Sequence, residues 1–146
     1  MRMELREHKP SYRVYLVLQI LVALLFVFQM AVGNYESAFL CGLTWILLLV
    51  PSMVQVTFRV EFPIVLEIII LLFIFAAEIL GEIYAFYIIF PFWDTVLHVM
   101  NGFLSAAIGF SFVNLLNKSD ELVFHVSPFF SAIVAFSFSM TIGAVW

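Results

Sequence analysis

Five apolar stretches of about twenty residues, each closed off by a short break, govern what this chain can become. They lie at 14–32, 37–57, 63–83, 93–116 and 128–146. At about 1.5 Å per residue, each is long enough to cross a hydrocarbon core of about 30 Å as an α-helix. A helix satisfies its own backbone in lipid, where no water is at hand to do so. Composition closes the soluble alternative. Of 146 residues, 65% are hydrophobic and 11% charged, and a water-soluble fold of this size has too little interior to hide that much apolar surface. The expected fold is all-α: a polytopic transmembrane helical bundle of five antiparallel spans, residues 1–146 forming a single domain in the lipid bilayer. Gly33-Asn34 closes the first stretch, and Pro51 bends or ends the second, since proline lacks an N–H and crowds the preceding turn.

The six Lys and Arg residues give the orientation. Arg2, Arg6, Lys9 and Arg13 precede the first span, Arg59 falls between the second and third, and Lys118 between the fourth and fifth. Gly33–Glu36 and Tyr84–Phe92 hold none. The positive-inside rule therefore makes the amino terminus cytoplasmic and the carboxyl end outward. Ala31-Val32-Gly33 loosely resembles a signal-peptidase site, but the apolar run before it is longer than a signal-peptide core and Glu4 and Glu7 interrupt its basic leader. A retained first helix is expected. A net charge of −4 and the lack of a Lys/Arg cluster argue against nucleic acid as a partner. Cys41 is single and forms neither an intrachain disulfide nor a cysteine metal site.

Ionisable residues are scarce within the spans: Glu67, Glu78, Glu82, Asp94 and His98. Glu67 falls in the first turn or so of the third helix, where a carboxylate meets the positive helix end and reaches water, and reads as structural. The others sort by depth. From the centre of the third span, Glu78 sits ~7 Å and Glu82 ~13 Å outward; from the centre of the fourth, Asp94 sits ~15 Å, His98 ~9 Å and Asn101 ~4 Å outward. Glu82 and Asp94 thus share an outer layer, and Glu78, His98 and Asn101 an inner one, which Gln29 of the first helix is placed to join. Glu78 and Glu82 are spaced i,i+4, as are Asp94 and His98, and Asn101 and Ser105 continue the second row.

Three readings of these residues stay open. Carboxylates and an imidazole from facing helices suit a divalent metal ion, with Glu82, Asp94 and His98 as ligands and Glu78 as a fourth. The same groups suit a proton or cation path, and a hydrogen-bonded network that only fixes helix register. Function follows in parallel: cation binding or proton translocation at an outward-facing polar site between the third and fourth helices, an enzyme acting on a lipid or cell-wall precursor, or a structural or partner-binding role. His125 reads as a loop residue. A different signal marks the fifth span, where Ser127, Ser131, Ala135, Ser139 and Gly143 recur at every fourth residue. With Gly102/Ala106 and Ser105/Gly109 on the fourth, such small residues let helix backbones approach closely, within one chain or across a homodimer.

The run Glu78-Ile-Leu-Gly-Glu-Ile-Tyr84, then Phe90-Pro-Phe-Trp-Asp-Thr-Val-Leu-His98, Asn101-Gly102 and Gly109-Phe110 resembles the YjdF-like family of bacterial inner-membrane proteins. Its Asp-x-x-x-His element is similar, more distantly, to that of VanZ-like membrane proteins. The resemblance covers about a quarter of the chain. It implies a bacterial cytoplasmic membrane and the grouping of Glu82, Asp94 and His98 as one site, and it carries no activity with it. Family members look to continue with a Trp-Glu-x-x-Glu-like segment, whereas this chain stops at Trp146. Trp146 either closes a complete fifth helix as an interfacial anchor or marks a fragment of a longer bundle; the second reading is preferred.

Overall fold

The computed structural model describes residues 10–57, 62–117 and 127–145. Every regular element among them is helical: α1 (Pro10–Val32), α2 (Tyr35–Leu47), α3 (Val50–Thr57), α4 (Ile64–Phe75), a π-helical segment (Ala76–Ile83), α5 (Phe86–Ile89), α6 (Trp93–Asn117) and α7 (Pro128–Val145). Among the described residues, five spans are long and apolar enough to cross a membrane: Pro10–Val32, Tyr35–Thr57, Ile64–Ile83, Trp93–Val113 and Pro128–Val145. The first is already helical at Pro10, the first described residue, ahead of Val14. Arg2, Arg6, Lys9, Arg59, Lys118, His125 and Trp146 lie outside the described residues. Two compact units divide the chain, Met1–Trp93 and Asp94–Trp146.

In the first unit α1 passes into α2 through two residues. Gly33 takes φ +80°, a conformation that a Cβ disfavours. Its N–H donates to the Met30 carbonyl at 3.2 Å, and the Asn34 N–H donates to the Gln29 carbonyl at 2.9 Å, a Schellman closure of α1. Asn34 then caps the next helix: its Oδ1 accepts from the Ser37 N–H at 3.2 Å.

The second span is broken between α2 and α3. Pro51 has no N–H for the Leu47 carbonyl. Just before it the ladder tightens, so that the Leu49 N–H donates to Ile46, at 2.9 Å, and not to Trp45. The Trp45 carbonyl is served from a neighbouring helix instead: Gln19 Nε2 of α1 donates to it at 3.2 Å. Lipid tolerates a broken helix on this condition, that adjoining groups take up the freed backbone.

α1 packs on α2 and α4, and α2 on the π segment. Leu18, Val22, Cys41, Leu48, Leu71 and Ile79 make the buried core between them. Because lipid is as apolar as these side chains, close van der Waals contact holds them together. The opposite faces, such as Val17, Ile20, Leu24 and Val27 on α1, remain exposed, as a lipid-facing surface must.

Glu67 departs from expectation, for it is buried and does not reach water. Gln55 of α3 supplies what water was expected to: its Nε2 donates to Glu67 Oε1 at 3.1 Å. The same amide accepts the Phe62 N–H on Oε1 at 3.3 Å. One side chain thereby ties α3, the approach to Pro63 and α4 together.

The second unit pairs α6 with α7. A Cβ built on Gly102 would stand 3.3 Å from Ser139 Oγ, one on Gly109 3.2 Å from Ala135 Cα, and one on Gly143 4.0 Å from His98 Nε2. Residue numbers rise along one helix as they fall along the other, so the pair is antiparallel. Phe112 and Phe138 stack beside this seam, ring centroids 6.5 Å apart. The small-residue rhythm is thus a contact surface within the chain at Ala135, Ser139 and Gly143. Ser127 does not belong to it. Its Oγ accepts from the Phe130 N–H at 3.2 Å, capping α7 just ahead of Pro128.

Candidate functional site

The expected site residues fall into two rows, one in each unit. Glu78 and Glu82 of the first row stand on the π segment, not on the α-helix assumed for their i,i+4 spacing. There the Tyr84 N–H reaches back five residues to the Ile79 carbonyl, at 3.1 Å. A π turn is wider than an α turn, so residues four apart no longer stack as they do on an α-helix. Glu78 is half-buried and Glu82 exposed.

Aromatic residues close the end of this row. The Tyr87 ring lies against Gly81, where a Cβ would stand 2.9 Å from Tyr87 Cζ; only glycine leaves that space. To bring Tyr87 back over the helix, the chain reverses at Ala85, which takes the left-handed conformation at φ 55°. Phe86 packs edge-on against Phe90 at 4.9 Å and against Trp93 at 5.0 Å. The connection expected at Tyr84–Phe92 is therefore a folded aromatic turn around the short helix α5.

The second row runs along α6. Asp94 and His98 are exposed, Asp94 in the first helical turn. His98 Nε2 lies beside Gly143 of α7. Asn101 and Ser105 are buried; the Ser105 hydroxyl donates to the Asn101 carbonyl at 2.7 Å, while Asn101 Nδ2 has no partner among the described residues. Within neither unit do three His, Cys, Asp or Glu side chains of the described residues gather as a metal-holding group. Gln29 is half-buried.

A match to a family model described as "Predicted membrane protein (DUF2238)" runs over residues 13–146, through both rows and all five spans. The chain belongs to the DUF2238 family of predicted membrane proteins. No curated protein and no solved structure matches it. Membership of DUF2238 agrees with the membrane-protein reading and adds nothing for the YjdF-like or VanZ-like likeness.

Two glutamines of this DUF2238 protein were not among the expected residues: Gln19 and Gln55 each serve a group on another element. The available signal for Gln19 was Pro51. A proline within a span disturbs the ladder around it, and a lone amide on the adjoining span can serve a carbonyl left over there, here that of Trp45.

Proposed function

We propose that this DUF2238 protein binds a cation or passes protons at the outer ends of its third and fourth spans, through Glu78, Glu82, Asp94, His98 and Asn101. The placement of Glu78 and Glu82 carries the reading: two carboxylates occupy the last turns of a membrane span, one half-buried, and neither is ion-paired among the described residues. Carboxylates in such a place call for a proton, a cation or polar partners. Departure from α pitch at this point adds support, since π turns inside helices gather at functional sites. The distribution of Lys and Arg supports a cytoplasmic amino terminus, so that these residues open outward, and the YjdF-like resemblance supports a bacterial cytoplasmic membrane. The small-residue surface of α7 is engaged by α6, and so the proposal includes no homodimer.

Metal analysis of the purified protein and dye-reported proton flux in proteoliposomes test it. Bound divalent ion or flux in the wild type, lost in Glu78→Gln, Glu82→Gln, Asp94→Asn and His98→Ala, is the expected result. Absence of both activities in folded wild-type protein sinks the proposal.

A further inference from the structure

Gln19 and the break in the second span meet near the middle of the membrane. Gln19 lies ~3 Å from the centre of Pro10–Val32 toward Pro10, and Leu48 ~3 Å from the centre of Tyr35–Thr57 toward Thr57. Joined by the two-residue turn, these spans run antiparallel, which puts both displacements on the same side.

Gln19 is only 8% exposed. Its amide has one sensible orientation, because the Trp45 carbonyl is an acceptor and must meet Nε2. Oε1 is left over, buried and without a hydrogen-bond partner among the described residues. A bare amide oxygen inside a membrane is costly and calls for something positive to face it.

No N–H or O–H group of the described residues at the break donates to Gln19 Oε1. The Leu48 N–H is spent on the Thr44 carbonyl and the Leu49 N–H on Ile46. Pro51 has none, and the Thr44 hydroxyl donates to the Leu40 carbonyl at 2.8 Å. The break does offer acceptors: the Leu47 carbonyl, deprived of its regular donor by Pro51, and the lone pairs of Thr44 Oγ1. A water there would need donors for its own lone pairs as well. A cation needs only acceptors. Discontinuous helices with free carbonyls near the midplane are where membrane transport proteins hold small cations.

We propose that Gln19 Oε1 and the broken second span form a binding site for a monovalent alkali cation of the Na+ or K+ class. Neutral oxygens without carboxylate or imidazole suit such an ion better than a divalent or transition metal. The site lies within the first unit and owes nothing to the acidic residues of the proposed function.

Thermal unfolding of the purified full-length protein in detergent, in NaCl, KCl, LiCl or choline chloride at matched ionic strength, tests the site. One alkali salt at saturation should raise Tm by about 3 °C or more over choline. Gln19→Leu should abolish the shift, and Glu78→Gln should leave it intact. Pro51→Ala, which returns an N–H to Leu47, should weaken it and stands in wherever Gln19→Leu does not yield monodisperse protein. Equal melting of the wild type in all four salts, as water alone at Gln19 would give, overturns the proposal. So does a shift that survives both Gln19→Leu and Pro51→Ala, or one that Glu78→Gln removes.

Discussion

Gly109 of α6 approaches α7 so closely that a Cβ on it would stand 3.2 Å from the Cα of Ala135 and 3.0 Å from the Cβ of Phe138. Neither neighbour is the loose end of a side chain, so relief requires moving a helix. Gly109→Ala is therefore expected to cost about 1–3 kcal/mol. Gly42→Ala makes the control, for its Cβ would meet only the Phe26 ring, at 3.9 Å, and it should be neutral or slightly stabilising. Thermal melts in detergent check both, and equal losses would contradict the contact.

The same seam predicts unequal effects along α7. Ala135→Leu and Ser139→Leu place a branched side chain against α6, and each should destabilise by about 1–3 kcal/mol. Phe136 is exposed, and Phe136→Leu should fall within about 0.5 kcal/mol of wild type. Chemical denaturation of the three variants should separate the first two from the third.

Ala85 holds φ at 55°, where its Cβ crowds the backbone. Ala85→Gly relieves that strain at the cost of a more flexible unfolded chain, and a net gain of about 0.5–1 kcal/mol is expected. A lower Tm for Ala85→Gly would mean that the turn is not held in this conformation.

Gln55 and Glu67 predict an asymmetric pair of variants. Gln55→Leu removes the donor from a buried acidic side chain, together with the acceptor for the Phe62 N–H, and should cost about 1–3 kcal/mol. Glu67→Gln keeps an oxygen for Gln55 Nε2 and should cost less than about 1 kcal/mol. Similar losses in urea melts would show that the carboxylate charge, and not the hydrogen bond, matters at Glu67.

Orientation is open to reporter fusions. Fusions at Glu36 and Ile89 are expected to report the outside, and fusions at Phe62 and Ser119 the cytoplasm, from the placement of Lys and Arg. Glu36 reporting the cytoplasm would reverse the whole arrangement.

Span positions were legible in the sequence because lipid imposes a length and an apolarity that few other surroundings demand. Gly33-Asn34 and Pro51 were legible for a related reason: each carries its backbone consequence in its own chemistry, whatever the neighbours. The π segment was hidden. A five-residue hydrogen bond leaves no spacing rule in the residues, so Glu78 and Glu82 looked like an ordinary i,i+4 pair. At Glu67 the first-turn position was legible; its burial against Gln55 was not, because charge and hydropathy do not encode that contact. Ser127 fitted the four-residue rhythm by number, yet a serine just before Pro128 at a helix start is claimed first by the free N–H groups there. Composition and depth singled out the candidate residues; the pitch of the helix beneath the two glutamates lay beyond them.

The turn at Gly33-Asn34 also bears on how the protein is made. With the Gly33 and Asn34 N–H groups bonded back to α1 and Asn34 capping α2, it is closed by the residues of the two helices it joins. α1 and α2 can close on each other as soon as both have been synthesised, and can enter the bilayer as one hairpin rather than as two separate insertions. Lengthening this turn with a tag would expose polar backbone where the chain now exposes little, and would uncouple the two insertion steps.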